Sequence, residues 1–259
     1  MRARLAGCAG LALTLLAAQP FSLPSRAAEP IPALAAARQR MEAADYRITG
    51  RLVRVDGDGK RTSLGLEIKA HWFAGILRVL VDVNSPAEAR EHILLEMRPS
   101  GEHSIRIAKP GDSAAALLPF EQWSDGPVGP GFSYEDFLES QYFWPTQSVT
   151  EKVRWGARDC DILKSAPGTT DRTHYAEVRT WLDRATDFPV YVEKTLKGSG
   201  TVKEFTSFGL RHDQGVWSAS QVEVKTHSQA GSTLLIFDRG SAKAKLTAAD
   251  FSAAKMTHF

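Results

Sequence analysis

Ser63-Leu64-Gly65-Leu66-Glu67-Ile68-Lys69-Ala70-His71-Trp72 decides the fold class. From Leu64 through Leu66, Ile68 and Ala70 to Trp72 every second residue is apolar, and the residues between are polar or glycine. A period of two puts each set on its own face of an extended strand. One dry face and one wet face are the mark of an antiparallel sheet. The stretch therefore predicts a long strand lying over a core.

Working outward, the same period holds on both sides. Tyr46, Ile48, Gly50 and Leu52 alternate with Arg47, Thr49 and Arg51, and Asp56-Gly57-Asp58-Gly59 supplies the turn of a hairpin. Downstream, Leu77, Val79, Val81 and Val83 share a face while Ile76 and Leu80 occupy the other, which predicts cover on both sides there. Further strands are expected at Ile93–Met97, Ser104–Ala108, Val149–Trp155, Cys160–Leu163, Tyr175–Leu182, Phe188–Leu196, Val202–Phe208, Val216–Val224 and Thr233–Phe237, and Leu246 is expected to end a strand. Helical signals occur only at the start, where Leu34, Ala37 and Met41 share a face, in the middle, and at the closing Thr247–Asp250 capping pattern. Long helices alternating with strands are missing, so a doubly wound parallel sheet is excluded. The fold expected is mostly β (α+β). About 10–12 strands form one large curled antiparallel sheet, an unclosed half-barrel plugged by a few short helices.

The middle of the chain breaks the pattern. Lys109 to Gly131 shows no period and carries Leu117, Leu118, Phe120 and Trp123, the composition of a lid or binding loop. Gly131-Phe132-Ser133-Tyr134-Glu135-Asp136-Phe137-Leu138 follows as a compact helix signal. Ser133 is placed as N-cap, Asp136 reaches back to it, and Phe132 and Phe137 form a hydrophobic staple. Glu135 and Asp136 point about 100° apart on a helix. That makes them a poor acid/base couple and good partners for the helix dipole.

The ends and the bulk properties bound the rest. Arg2 and Arg4, the apolar run Leu5–Ala18 and Ser25-Arg26-Ala27 read as an export signal over residues 1–27, leaving 28–259 as a single domain. The whole chain carries +2; the signal holds three arginines and no acid, so 29 basic residues face 30 acidic ones in the remainder, net −1. That balance excludes a nucleic-acid-binding surface. Only Cys160 survives processing, which leaves no internal disulfide and no cysteine metal site. The seven histidines show no metal-binding spacing, and no nucleophile elbow or phosphate cradle is present. No catalytic residue, metal or cofactor is expected.

Four landmarks together resemble the LolA/LolB-type periplasmic lipoprotein carriers, in the LolA-like outer-membrane lipoprotein-sorting branch. They are the Asp45-Tyr46 strand with Gly50, the Phe132–Phe137 block, Tyr175–Asp183 running into Pro189–Glu193, and Gly231–Leu234 with Leu246–Phe251. The resemblance implies a periplasmic, soluble carrier whose apolar cavity shields lipid or lipoprotein acyl chains. It would move them toward the outer membrane, or serve an exporter, between an inner-membrane transporter and an outer-membrane acceptor. Leu66, Ile68, Leu77, Val79, Ile93 and Leu95 are then the expected cavity wall, and Phe132, Tyr134, Phe137 and Leu138 the plug. One departure stands out: Lys69–Gly75 lacks the basic-proline-aromatic segment that helps hold the lid shut in the better-known carriers. The alternative is an envelope sensor of the same fold that binds a membrane-anchored protein partner.

Overall fold

The computed structural model describes residues 31–227 and 229–259, so the export signal expected at 1–27 lies outside the described residues. Helix α1 (Pro32–Glu42) comes first, with Leu34, Ala37 and Met41 buried as their spacing requires. Six strands follow: β1 (Asp45–Val55), β2 (Arg61–Phe73), β3 (Ile76–Ser85), β4 (Glu91–Met97), β5 (His103–Ala108) and the two-residue β6 (Ala116–Leu117). After an insert come β7 (Thr146–Trp155), β8 (Arg158–Ala166), β9 (Tyr175–Asp183), β10 (Pro189–Leu196) and β11 (Val202–Phe208). The chain ends with β12 (Arg211–Asp213), β13 (Val216–Ser218), β14 (Gln221–Thr226), β15 (Ser232–Ser241) and helix α2 (Ala253–Thr257).

Thirteen strands form one sheet in the order β6-β5-β4-β3-β2-β1-β15-β14-β11-β10-β9-β8-β7, and β12–β13 pair separately. All the pairings are antiparallel, and β6 and β7 are edges that do not meet, so the half-barrel is unclosed as expected. The sheet exceeds the expected ten to twelve strands because β6 is too short to show a period. The Val216–Val224 segment also divides differently, its first part leaving the main sheet to pair with β12. Leu246 does not end a strand: β15 stops at Ser241, and Leu246 is buried in the segment that follows.

That closing segment explains the two-sided strand. Leu80 and Leu94 on the outer face of β3 and β4 pack with Leu246, Phe251 and Met256, while Val79, Val81, Ile93 and Leu95 join the main core on the inner face. The topology also gives the insert its task. The first half of the chain runs from β1 outward to the β6 edge; the second starts at the opposite edge, β7, and returns inward to β15 beside β1. Residues 118–145 must therefore pass from one edge of the sheet to the other. They do so across the inner face, where Trp123, Val128, Phe132, Leu138, Tyr142 and Trp144 enter the same core as the strand residues. Gly50 is required at the seam: the β1–β15 register slips between Thr49 and Gly50, and a Cβ there would overlap the Ile236 carbonyl.

Candidate functional site

The inner face of β2–β5 is a wall of aliphatic side chains. Leu66, Ile68, Leu77, Val79, Ile93 and Leu95, the wall that the resemblance implied, are buried in one cluster with Ile105 and Met97. Phe132 and Leu138 belong to that cluster too, and Tyr134 and Phe137 pack against it. All ten expected residues thus meet in one place. The insert, together with Leu34, Ala37 and Met41 of α1 in the same cluster, covers the sheet's inner face.

Within the insert, Tyr134–Phe137 is a single 3₁₀ turn. Its capping box forms as expected: the Ser133 backbone N–H donates to Asp136 Oδ2 at 2.9 Å and the Ser133 hydroxyl donates to the same oxygen at 2.7 Å. The Phe132 and Phe137 rings meet edge to face with centroids 4.8 Å apart, which completes the staple. Tyr134 N–H donates to the Asp125 carbonyl at 2.7 Å, folding the glycine- and proline-rich approach back on the turn. Gly126 permits this, since a Cβ at that position would overlap the Phe132 carbonyl.

The acids of the turn do more than cap it. Asp136 has a fully buried side chain between two lysines, with Lys194 Nζ 3.0 Å from Oδ1 and Lys203 Nζ 3.0 Å from Oδ2. Tyr175 donates its hydroxyl to Oδ1 at 2.5 Å, and Lys203 also reaches Ser133 Oγ and Tyr175 Oη at 3.2 Å each. Burial by itself would raise the Asp136 carboxyl. Lys203 and Lys194, joined by Tyr175 and the Ser133 N–H, outweigh it and hold the group well below the usual carboxylate range. Burial, then the charges of Asp136 and Glu135, push the Tyr175 phenol far up, so it remains a donor.

Glu135 turns the other way. It accepts from Thr173 Oγ1 at 3.2 Å and from the His174 backbone N–H at 3.3 Å, and it lies 2.9 Å from His174 Nδ1. At the other end of the turn, Tyr134 donates to Glu91 Oε1 on β4 at 3.3 Å, and burial first of all raises the Glu91 carboxyl. One short turn is therefore tied to β4, β9, β10 and β11 by polar contacts and to the aliphatic wall by its rings.

Sequence reasoning assigned Glu135 and Asp136 to the helix dipole and missed Lys194, Lys203 and Tyr175. A signal was present. Lys194 shares its register with Val192 and Leu196, and Lys203 with Phe205, so alternation places both lysines on the face of buried residues. The insert also fills the space it covers. A cavity beneath it, lined by His103, Trp123, Glu135, Leu138, Trp144 and Lys194 among others, has room of about 10 Å³, no more than one water needs. The insert's own side chains thus lie against the wall that the resemblance assigns to a cavity. Among the described residues no group of His, Cys, Asp and Glu is placed to hold a metal ion, and no helix is long and apolar enough to cross a membrane.

Residues 78–258 match a family described as "uncharacterized protein". The chain belongs to that family. No curated protein matches it. Among solved structures, a DUF1329 family protein from Desulfovibrio piger is 15% identical with a TM-score of 0.78, over 86% of this chain and 96% of that one. A protein domain named for outer membrane lipoprotein sorting, from Vibrio parahaemolyticus, is 17% identical with a TM-score of 0.76, over 86% of this chain and 96% of that one. A LolA superfamily protein from Nitrosomonas europaea is 12% identical with a TM-score of 0.65, over 86% and 98%. The fold is LolA-like, as the sequence landmarks implied.

Proposed function

We propose that this protein is a periplasmic carrier, exported by its first 27 residues, whose domain 28–259 shields lipid or lipoprotein acyl chains on the inner face of the half-barrel. It acts by binding, with no catalytic step. The observation that carries the reading is the aliphatic wall of Leu66, Ile68, Leu77, Val79, Ile93 and Leu95 covered by a crossover segment instead of by a second sheet or a long helix. The name of the Vibrio relative, which refers to lipoprotein sorting, points the same way.

In this closed state the cargo must displace the insert. Phe132, Leu138 and the neighbouring Trp123, Tyr142 and Trp144 would leave part of their burial, each contributing about 1.5–3 kcal/mol. A long acyl chain returns about 0.8 kcal/mol per buried CH₂, on the order of 10 kcal/mol before ordering costs. The two sums are of one size, which is what reversible loading from one membrane and release at another requires. An inner-membrane transporter and an outer-membrane acceptor would supply the two ends of that route.

The test is the content of the protein as purified from the periplasm. Denaturing extraction and mass spectrometry are expected to release a lipid, and the emptied protein to take up a fluorescent fatty acid. An empty protein that takes up none would sink the carrier reading. A second reading rests on the filled interior: with room of about 10 Å³, the protein could instead be an envelope sensor for a membrane-anchored protein partner. Recovery of one stable protein partner and no lipid would favour it.

A further inference from the structure

Lys194 and Lys203 stand directly opposite one another on β10 and β11. Both side chains turn inward and are only 7% exposed. Like charges directly across a ladder destabilise it, and buried charges require a partner. Among the described residues Asp136 is the one carboxylate in ion-pair contact with either, and it lies on the crossover segment, not on the sheet. Each lysine takes a different oxygen of that carboxylate. The pair thus forms a two-pronged receptor for an anion with at least two oxygens, lined by the Tyr175 and Phe205 rings 5.0 and 4.6 Å from Lys194 Nζ.

The receptor extends beyond what Asp136 fills. Thr226 is the register partner of Lys203 on β14, so Lys194, Lys203 and Thr226 form one polar row across three strands. The buried hydroxyls of Thr226 and, one strand further, Thr233 have no hydrogen-bond partner among the described residues. Lys203 spends its three donors on Asp136, Ser133 and Tyr175, whereas Lys194, with Asp136 alone, and the unused buried hydroxyls retain polar capacity beyond one carboxylate.

Resting on the carrier reading, we propose that the cargo is an amphiphile with an anionic head group, carboxylate or phosphate, and that Asp136 occupies the head-group site in the closed state. Opening withdraws Asp136 and leaves two inward lysines uncompensated. The cargo's anion replaces it while the tail lies along the aliphatic wall. A neutral acyl group offers nothing to that site. The insert therefore acts as a tethered competitor, and the charge of the cargo decides whether it can be displaced.

Equilibrium dialysis at pH 8 with oleate, methyl oleate and acetate tests this on three proteins: wild type, Asp136→Asn, and the charge-free Asp136→Leu/Lys194→Met/Lys203→Met. Wild type is expected to bind oleate over methyl oleate by about tenfold or more, the scale of one charge-assisted hydrogen bond. Asp136→Asn, which loosens the insert for every cargo, should tighten oleate binding more than methyl oleate binding, and the charge-free variant should bind both esterified and free chains alike. Equal binding of oleate and methyl oleate by wild type, which needs no variant to fold, overturns the proposal and leaves the carrier standing. Acetate held as tightly as oleate also overturns it, because the site would then serve a small anion. Binding of neither chain by any of the proteins overturns the carrier reading itself, and the head-group assignment with it.

Discussion

The inner face of the half-barrel has two halves that solve burial differently. On β2–β5 the inward positions are mostly Leu, Ile, Val, Ala and Met, with Trp72, Glu91 and His103 only at strand ends, and the aliphatic ones need only be covered. On β8–β11 and β14–β15 the same inward register carries Ser165, Thr180, Lys194, Lys203, Thr226 and Thr233, all buried. Away from Glu91, which takes the Tyr134 hydroxyl, the first half accepts any apolar cover. The second accepts only a cover that brings an anion to a fixed point, and the insert supplies one at Asp136. Replacing a buried ion cluster by apolar residues is often neutral or stabilising. The cluster is therefore better understood as fixing where the insert sits than as the source of the fold's stability. The two halves divide the work: one provides affinity without direction, the other direction at the expense of desolvation.

The sharpest way to break that comparison is to remove the shared anion. Asp136→Ala leaves two lysines buried without a counter-charge and is expected to cost about 3–5 kcal/mol in chemical denaturation. Leu95→Ala, at a position with 0% exposure in the aliphatic half, should cost a similar 2–5 kcal/mol through its cavity. Rescue separates them. Adding Lys194→Met and Lys203→Met to an Asp136→Leu protein should restore most of the stability, whereas no charge removal can refill the Leu95 void. A triple variant as unstable as Asp136→Ala would mean that shape, not charge, holds the turn.

The asymmetry between the halves also governs what could be read from the chain. The period of two in Leu64–Trp72 exposes both the strand and its buried face, because every inward residue there is apolar. In β10 and β11 the inward set is mixed, Val192-Lys194-Leu196 and Lys203-Phe205, and a lysine by itself is normally a solvent residue. Its burial depends on an aspartate 58 residues away for Lys194 and 67 for Lys203, a pairing that no local pattern encodes. The turn itself was legible, with cap, capping box and staple all local to Phe132–Phe137. Its destination was not, since that follows from the sheet order, which sends residues 118–145 from edge to edge.

Acid should reveal the ion cluster of the polar half. The folded Asp136 carboxyl is held below its unfolded value. Its contribution is therefore complete above the unfolded value, about 4, and is lost progressively as pH falls toward the folded one. The slope contributed is at most about 1.4 kcal/mol per pH unit. Asp45, Asp183 and Asp250 are also lowered and add to the total slope. The informative measurement is thus the difference between wild type and Asp136→Asn below pH 4, with the wild type expected to be the steeper. Parallel curves would show that the lysines do not stabilise the charged form.

The smallest expected effect tests whether the turn and the cluster are one device. Ser133→Ala removes a hydroxyl that donates to Asp136 Oδ2 at 2.7 Å and accepts from Lys203 at 3.2 Å, while the backbone N–H bond to the same oxygen remains. As a cap alone the change should cost about 1 kcal/mol, with the acid dependence unchanged. If the hydroxyl also organises the ion cluster, the cost should instead grow when the Asp136 charge is present and shrink in an Asp136→Asn background. A double-mutant cycle reads that coupling directly, with 0.5 kcal/mol or more expected for groups in one hydrogen-bond network. Simple additivity would make Ser133 a local cap and leave the placement of Asp136 to the lysines.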